Sequence, residues 1–176
     1  MMTLLTFLAT LIINLTFLVH NTDYQVHAQQ LIRLEYSIEE AVAASTLYEE
    51  QEEFAEGRKI FNYPEGIKAA NHILIEKQRF DASTLEATWD YATRTYAASI
   101  KPLPNSYWQD TVHYSIEFFD DSNATYPFLY NKGNLAVAIG DPTAVINIGA
   151  GKPNYRLLST DGVNSQRGAA YTWEVR

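Results

Sequence analysis

The first charged side chain of this sequence is Asp23, so residues 1–22 form an uncharged, mostly apolar stretch in a chain with a net charge of −8. Residues 3–19 are interrupted only by threonines and Asn14, whose side chains can hydrogen-bond to a helix backbone. A helix of that length measures about 25 Å, close to the ~30 Å hydrocarbon core of a bilayer. The pattern predicts a short transmembrane anchor at residues 1–22, with the lipid bilayer as its partner.

A cleaved secretory signal is the alternative interpretation of this stretch. Val26, His27 and Ala28 have the small-residue pattern that signal peptidase prefers. Against cleavage, no Lys or Arg precedes the apolar run, and a helical pattern continues through the cleavage point. We therefore expect a retained anchor. Cleavage would instead release a secreted domain beginning at Gln29.

The charges that follow the apolar stretch indicate its orientation. Arg33 is the only basic residue among the next twenty, and it is outnumbered by Asp23, Glu35, Glu39 and Glu40. Cytoplasmic flanks of membrane helices are usually basic. The sequence therefore predicts a single-pass protein with its C-terminal body outside the cytoplasm.

The remaining length, about 155 residues, suits one ordinary domain. A hydrophobic content of 47% with 13% aromatic residues is typical of a folded body. A pI near 4.9 means that the chain has no excess of positive charge to bind nucleic acid, or to bind anionic lipid other than through its anchor. Nucleic acid and anionic lipid are therefore excluded as partners of the body. The sequence contains no cysteine, which excludes disulfides and thiolate metal sites.

A heptad-like seam follows the membrane stretch. Spacings of three and four separate Tyr24, His27, Leu31, Leu34, Ile38, Ala41, Ser45 and Tyr48. Neither Pro nor Gly occurs in residues 1–56, so we expect one long helix that ends at Gly57. The seam either packs on the protein's own body or packs partly against copies of itself or a partner. The candidate packing and assembly residues are Leu31, Leu34, Ile38, Ala41, Ser45 and Tyr48.

Shorter elements are expected downstream. Pro64 begins a second helix that extends to about Phe80, and the spacing of Leu85, Trp89, Ala92 and Tyr96 favours a third, although a strand would also suit this region. Alternating or apolar runs predict strands at residues 112–118, 135–140, 143–149, 155–159 and 169–175. The expected class is α+β, with a helical region at 23–104, an antiparallel sheet at 105–176, and the long helix laid across the sheet.

Catalytic and cofactor motifs give no positive signal. The run at residues 149–152 lacks the glycine spacing and the Ser or Thr of a P-loop, and the four histidines have no metal-ligand spacing. We therefore expect neither an enzyme, a cofactor nor a resident metal. An acidic hydrolase would require two carboxylates that face each other in a cleft. Asp120, Asp121 and Asn123 form an oxygen-rich loop and a weak candidate cation site, with a solvated loop as the preferred interpretation.

Aromatic residues suggest one alternative function. A secreted or tethered domain that binds a sugar or peptide could use an aromatic surface for stacking. The candidate residues for it are Trp89, Trp108, Tyr126, Tyr130 and Trp173.

An apolar helix that continues into an amphipathic helix, followed by a sheet, resembles the layout of type IV pilins and pseudopilins. Residues 31–76, which include LEYSIEEAVAAS and the later KAANH, resemble the tight-adherence pseudopilin-like proteins of the TadE/TadG type. The resemblance covers at most the first 80 residues. It implies a membrane-anchored structural protein of a pilus or secretion-type envelope machine. The sequence lacks the pilin's basic leader with Gly and its early Glu, so processing by a prepilin peptidase is not expected.

Overall fold

The computed structural model describes residues 2–156 and 165–173. The helices are α1 (Met2–Ser45), α2 (Gln51–Ala55) and α3 (Tyr63–Gln78), and a 3₁₀ turn follows at Ala82–Thr84. The strands are β1 (Glu86–Asp90), β2 (Thr95–Ile100), β3 (Val112–Phe119), β4 (Phe128–Lys132), β5 (Leu135–Ile139), β6 (Thr143–Gly149) and β7 (Gln166–Thr172). The predicted α+β class, with a long N-terminal helix, shorter helices and an antiparallel sheet, is confirmed.

Five strands form one sheet in the order β1-β2-β3-β6-β7, and every neighbouring pair is antiparallel. β4 and β5 form a separate hairpin. This hairpin lies on one face of the sheet, where Tyr130 and Ile139 pack against Val145 of β6. The sheet therefore has a helix-covered face and a face that the hairpin covers only in part.

The main core lies between the helices and the sheet. Along β3 the buried side chains of Val112, Tyr114, Ile116 and Phe118 point to this core with the two-residue period of a strand. α1 packs against α3 and crosses β6 and β7. The expectation that the long helix lies across the sheet is confirmed.

The first helix ends earlier than predicted, at Ser45 instead of Gly57. Ser45 Oγ donates a hydrogen bond to Val42 O (2.7 Å), and such side-chain bonds compete with the helical pattern. After the turn, the backbone of Glu50 donates to Ile60 O (2.9 Å), so the chain doubles back on itself. The acidic segment that follows forms the separate helix α2.

The third helix predicted after residue 83 is wrong, because this region forms the β1–β2 hairpin. Trp89 pairs with Tyr96 across the hairpin, and the strands contain the β-branched Thr88 and Thr95. Arg94 adopts a left-handed conformation in the turn (φ 51°). The sheet thus begins before residue 104, where the helical region was expected to end, and the helices and strands share one core.

α3 confirms the second predicted helix. Asn62 caps it by accepting a hydrogen bond from Glu65 N (3.2 Å), and Pro64 lies in its first turn. A Cβ at Gly66 would lie 2.5 Å from Ser45 O, so glycine permits the end of α1 to approach α3 closely. The two helices are therefore held together where α1 ends.

The later strand predictions are mostly confirmed. β5 and β6 match the expected runs, whereas β4 was not predicted. The last strand begins earlier, at Gln166, and residues 174–175 of its prediction lie outside the described residues. Of the strand predicted at 155–159, residues 155 and 156 are not in a strand, and 157–159 lie outside the described residues.

Candidate functional site

Up to residue 22, α1 projects away from the body. Its large apolar side chains are exposed, for example Leu4 (73%), Phe7 (66%) and Ile13 (68%). A window of 18 residues within the helix has a mean hydropathy of 1.9, and none of it is buried inside the protein. This segment is long and apolar enough to cross a membrane, and a signal sequence would share that property.

The polar side chains of this segment hydrogen-bond to the helix backbone, as the sequence suggested. Thr10 Oγ1 donates to Thr6 O, Asn14 Nδ2 donates to Thr10 O, and Thr22 Oγ1 donates to Leu18 O, each at 2.8 Å. These bonds reduce the cost of placing a polar group in hydrocarbon. The threonines and the asparagine are therefore compatible with a membrane environment.

Asp23 is the point where α1 enters the body. Its side chain is only 5% exposed, and Oδ2 accepts a hydrogen bond from Arg156 N (3.0 Å). One turn later, His27 Nδ1 lies 2.9 Å from Tyr107 OH. Partial burial, with a smaller contribution from the positive charge of Arg167, lowers the pKa of His27 below 6.5. The helix is thus bound to the body by the first two turns that follow the apolar segment.

The central part of the heptad seam lies inside the protein, whereas its first member, Tyr24, is 68% exposed and does not face the core. Leu34, Ile38, Ala41 and Ser45 have no exposed surface, and Leu31 packs at the margin of the core. Gln78 Nε2 donates to Ser37 Oγ (2.7 Å) and links α3 to the same side of α1. Tyr48 lies beyond the end of the helix and is 42% exposed. The protein's own body therefore covers the central residues of the seam, and a partner helix could not reach them in this fold.

The face of α1 opposite the buried part of the seam is exposed to solvent in the C-terminal half of the helix. Tyr24 (68% exposed), Ile32 (51%) and Tyr36 (67%) recur at helical spacing with the exposed Ala28 between them. We call these four residues the outer stripe. The stripe was not identified from the sequence, although its four-residue spacing was visible there. It is continuous with the exposed apolar segment below Asp23.

The loop of the candidate cation site is held together by hydrogen bonds. Asp120 has no exposed surface, and its carboxylate accepts from Phe61 N (3.2 Å), Tyr63 OH (2.7 Å), Ser122 N (2.9 Å) and Ser122 Oγ (2.6 Å). Burial is the main cause that raises the pKa of Tyr63 to about 12. The buried carboxylate of Asp120 therefore links the loop to the start of α3 and has a structural role.

The other two members of that candidate set also bond to the protein. Asp121 Oδ2 accepts from Lys59 N (2.7 Å). Asn123 Nδ2 donates to Phe118 O (2.8 Å), and its Oδ1 accepts from Asp120 N (2.9 Å). In the described part of the chain, no group of three or more His, Asp or Glu side chains is placed to hold a metal ion.

The five candidate stacking aromatics do not form one surface. Trp108 and Tyr130 are buried, at 2% and 6% exposure, in different clusters. Trp89 packs against Tyr63 with tilted rings whose centroids are 5.3 Å apart, while Trp173 packs edge-on to Phe54 of α2. Tyr126 packs against Phe128 of the β4–β5 hairpin. The predicted aromatic platform is therefore dispersed over the molecule.

A cavity of about 710 Å³ lies on the face of the sheet that carries the hairpin. Polar and small side chains line it, including Ala97, His113, Ser115 and Asn147. Asn147 Nδ2 donates to Tyr130 OH (2.7 Å), while its buried Oδ1 has no hydrogen-bond partner among the described residues. We call this space the sheet cavity. Its size is within the range of ligand pockets.

Comparison with protein-family models, curated proteins and solved structures gives no match. The function must therefore be inferred from the geometry of the chain.

Proposed function

We propose that this protein is a membrane-anchored, extracytoplasmic structural component of an envelope assembly, similar to pseudopilins in its design. The observation that carries the proposal is the continuity of α1, which is exposed and apolar below Asp23 and packed into the body above it. Such a helix can fix a folded head rigidly to a membrane. The scarcity of Lys and Arg in the twenty residues after the apolar segment favours the body on the extracytoplasmic side.

Contacts of α1 support retention of the anchor. Cleavage after Ala28 would remove both the Asp23–Arg156 hydrogen bond and the His27–Tyr107 contact from the body. A signal peptide has no need for such contacts, because it leaves before or during folding. The mass and N-terminal sequence of the mature protein test this step. A mature chain that begins at Gln29 would contradict the anchor and leave a secreted domain.

Assembly through the outer stripe is the second step. The buried seam is occupied by the protein's own core, so the exposed Tyr24, Ile32 and Tyr36 are the apolar contacts of α1 that remain for another subunit, including a second copy. Tyrosine is enriched at protein interfaces. Leu34 and Ile38, which the sequence suggested for packing or assembly, are buried in the subunit's own core, and we assign them to its folding.

The absence of cysteine in the sequence permits a clean cross-linking test. Ile32→Cys in the full-length protein, oxidised in native membranes, is expected to give a disulfide-linked dimer or a partner adduct. Lys68→Cys, on the exposed side of α3, is the matched control and should give none. A protein that stays monomeric in membranes and in detergent, with no cross-link through residue 32, would contradict assembly by this face.

The sheet cavity favours a second candidate function, a tethered domain that binds a sugar or peptide. Ala97 is exposed inside the cavity, so Ala97→Trp should obstruct it and weaken binding found in a glycan and peptide screen. Ala92→Trp, in the β1–β2 turn outside the cavity, should leave such binding intact. A screen without any binder, or equal binding by both variants, would count against this function.

A further inference from the structure

A second cavity, of about 370 Å³, lies beside α1 where the helix enters the body. We propose that this cavity binds a phosphate-bearing anion, and that the headgroup of an anionic lipid in the same membrane is its source. We call it the basic cavity. The proposal rests on the anchoring part of the proposed function and is independent of the assembly step.

The charge of the cavity lining opposes that of the whole chain. Four cationic residues line it, namely Arg33, Lys77, Arg79 and Arg156. Asp23 also lines it, and Lys77 forms an ion pair with Glu40 (3.2 Å). Even with both carboxylates counted, the cavity keeps an excess of two positive charges in a protein of net charge −8. A local excess of this kind attracts anions.

The guanidinium groups retain donors for a ligand. Arg33 Nη2 donates to Lys77 O (2.7 Å), which uses one of its five N–H groups. Within the described residues, no ion pair involves Arg33, Arg79 or Arg156. Arginine binds phosphate oxygens through two parallel hydrogen bonds, so a phosphate group suits this donor set.

The end of α3 contributes carbonyl groups that would repel an anion if they were unpaired. Lys77 O accepts from Arg33, and Arg79 O accepts from Leu103 N (3.0 Å). Ile75 O likewise accepts from Phe80 N (3.0 Å). These bonds reduce the negative character of the helix end that faces the cavity.

Backbone strain is concentrated at the same place. Arg79 (φ 58°) and Asn105 (φ 73°) are two of the three non-glycine residues with positive φ in the described part of the chain, and both line the basic cavity. Arg79 directly follows the last residue of α3, at the end of the helix where a left-handed glycine is usual. Strained residues of this kind are typical of binding sites.

The position of the cavity identifies the source of the phosphate. Thr22, at the end of the uncharged segment, lines the same cavity as Arg156. The cavity therefore reaches the level at which α1 would leave the hydrocarbon, where lipid headgroups lie. Basic side chains at that level are attracted to anionic lipid. The net negative charge of the sequence led us to exclude anionic lipid as a partner. A net charge, however, does not reveal a local cluster of basic residues.

The test uses the full-length protein in two arms. In detergent, inorganic phosphate is titrated and binding is measured by calorimetry. In nanodiscs of phosphatidylcholine with or without phosphatidylglycerol, the melting temperature and the lipid retained in native mass spectra are measured. Arg79→Gly and Arg156→Gln are the test variants, because glycine suits the left-handed position and Arg156 is exposed. Lys68→Gln, which removes one charge from the exposed side of α3, is the control.

We expect phosphatidylglycerol to raise the melting temperature and to be retained by the protein. Each test variant should weaken retention at least tenfold, and the control should not. Phosphate binding in detergent that depends on Arg79 and Arg156, without any lipid effect, would assign a free anion as the source. Because this arm needs no membrane, it separates failure of the site from failure of the anchor. The site is refuted if neither probe depends on these arginines, or if Lys68→Gln has an equal effect.

Discussion

Leu34→Ala tests whether the two halves of α1 have different partners. Leu34 has no exposed surface, so its truncation leaves a cavity in the core and should cost about 3 kcal/mol of unfolding free energy. For a body of this size, that loss lowers the melting temperature by about 6–12 °C. Leu8→Ala is the matched control on the same helix, because Leu8 is 53% exposed and lies in the apolar segment. It should change the stability of the body by less than about 0.5 kcal/mol.

Tryptophan fluorescence is the appropriate probe for this comparison. All three tryptophans, Trp89, Trp108 and Trp173, lie in the body, so their signal reports unfolding of the body and not of the apolar segment. Full-length protein in detergent would be melted at several protein concentrations. Since the body itself covers Leu34, the loss of stability should be independent of concentration.

Two results would refute this reasoning. A loss caused by Leu34→Ala that disappears at high protein concentration would place Leu34 at an interface between subunits. A loss of body stability in Leu8→Ala equal to that in Leu34→Ala would indicate that the apolar segment folds back onto the body.

Three other substitutions test individual contacts. Asp120→Asn should lower the free energy of unfolding in urea by about 2–4 kcal/mol, because a buried acceptor of four hydrogen bonds is replaced. If calcium instead raises the stability of the unsubstituted protein, that result would support the cation site. Arg79→Gly should raise the urea midpoint by an amount equivalent to about 1 kcal/mol, because it relieves left-handed strain, and a lower midpoint would contradict this. Because the pKa of His27 is lowered in the folded protein, the unfolded chain takes up a proton at this residue first as the pH falls. The contribution of neutral His27 to the free energy of unfolding is therefore present above pH 6.5 and is lost as the pH falls below it. His27→Gln should therefore reduce the change in melting temperature between pH 7 and 5. The loss of stability below pH 4 should remain, because it comes from Asp81 and Asp90, whose pKa values are lowered by hydrogen bonds.

The long apolar helix and the class of the fold could be predicted because their signals are local. The uncharged stretch before Asp23 needs no knowledge of the tertiary structure, and the alternation along β3 follows from one buried face. The end of α1 could not be predicted in this way. Glu50 leaves the helical path to pair with Ile60, and a contact across ten residues gives no Pro or Gly signal.

The β1–β2 hairpin shows how a periodic pattern can mislead. Leu85, Trp89, Ala92 and Tyr96 have helical spacing, but Trp89 and Tyr96 are neighbours because a tight turn brings two strands together. The β-branched threonines carried the correct signal. Tertiary packing decided between two patterns that the sequence supported together.

The basic cavity was missed for a different reason. Arg33, Arg79 and Arg156 are far apart in the sequence and become neighbours only when α1, α3 and the loop after β6 pack together. A net charge averages over the whole surface and conceals such a cluster. The outer stripe, by contrast, required only the knowledge of which face of α1 is buried.

The unbroken α1 also fixes the rotation of the body about the helix axis, relative to the apolar segment. Each helical residue turns the chain by about 100° and advances it by about 1.5 Å, and no Pro or Gly between residues 1 and 56 provides a hinge. One residue inserted next to Asn21 would therefore rotate the body by about 100° about the helix axis relative to the membrane segment. Seven inserted residues would restore the azimuth to within about 20° and raise the body by about 10 Å. In the proposed membrane-anchored assembly, the number of residues between the apolar run at residues 3–19 and Asp23 would thus select which side of the body faces neighbouring subunits.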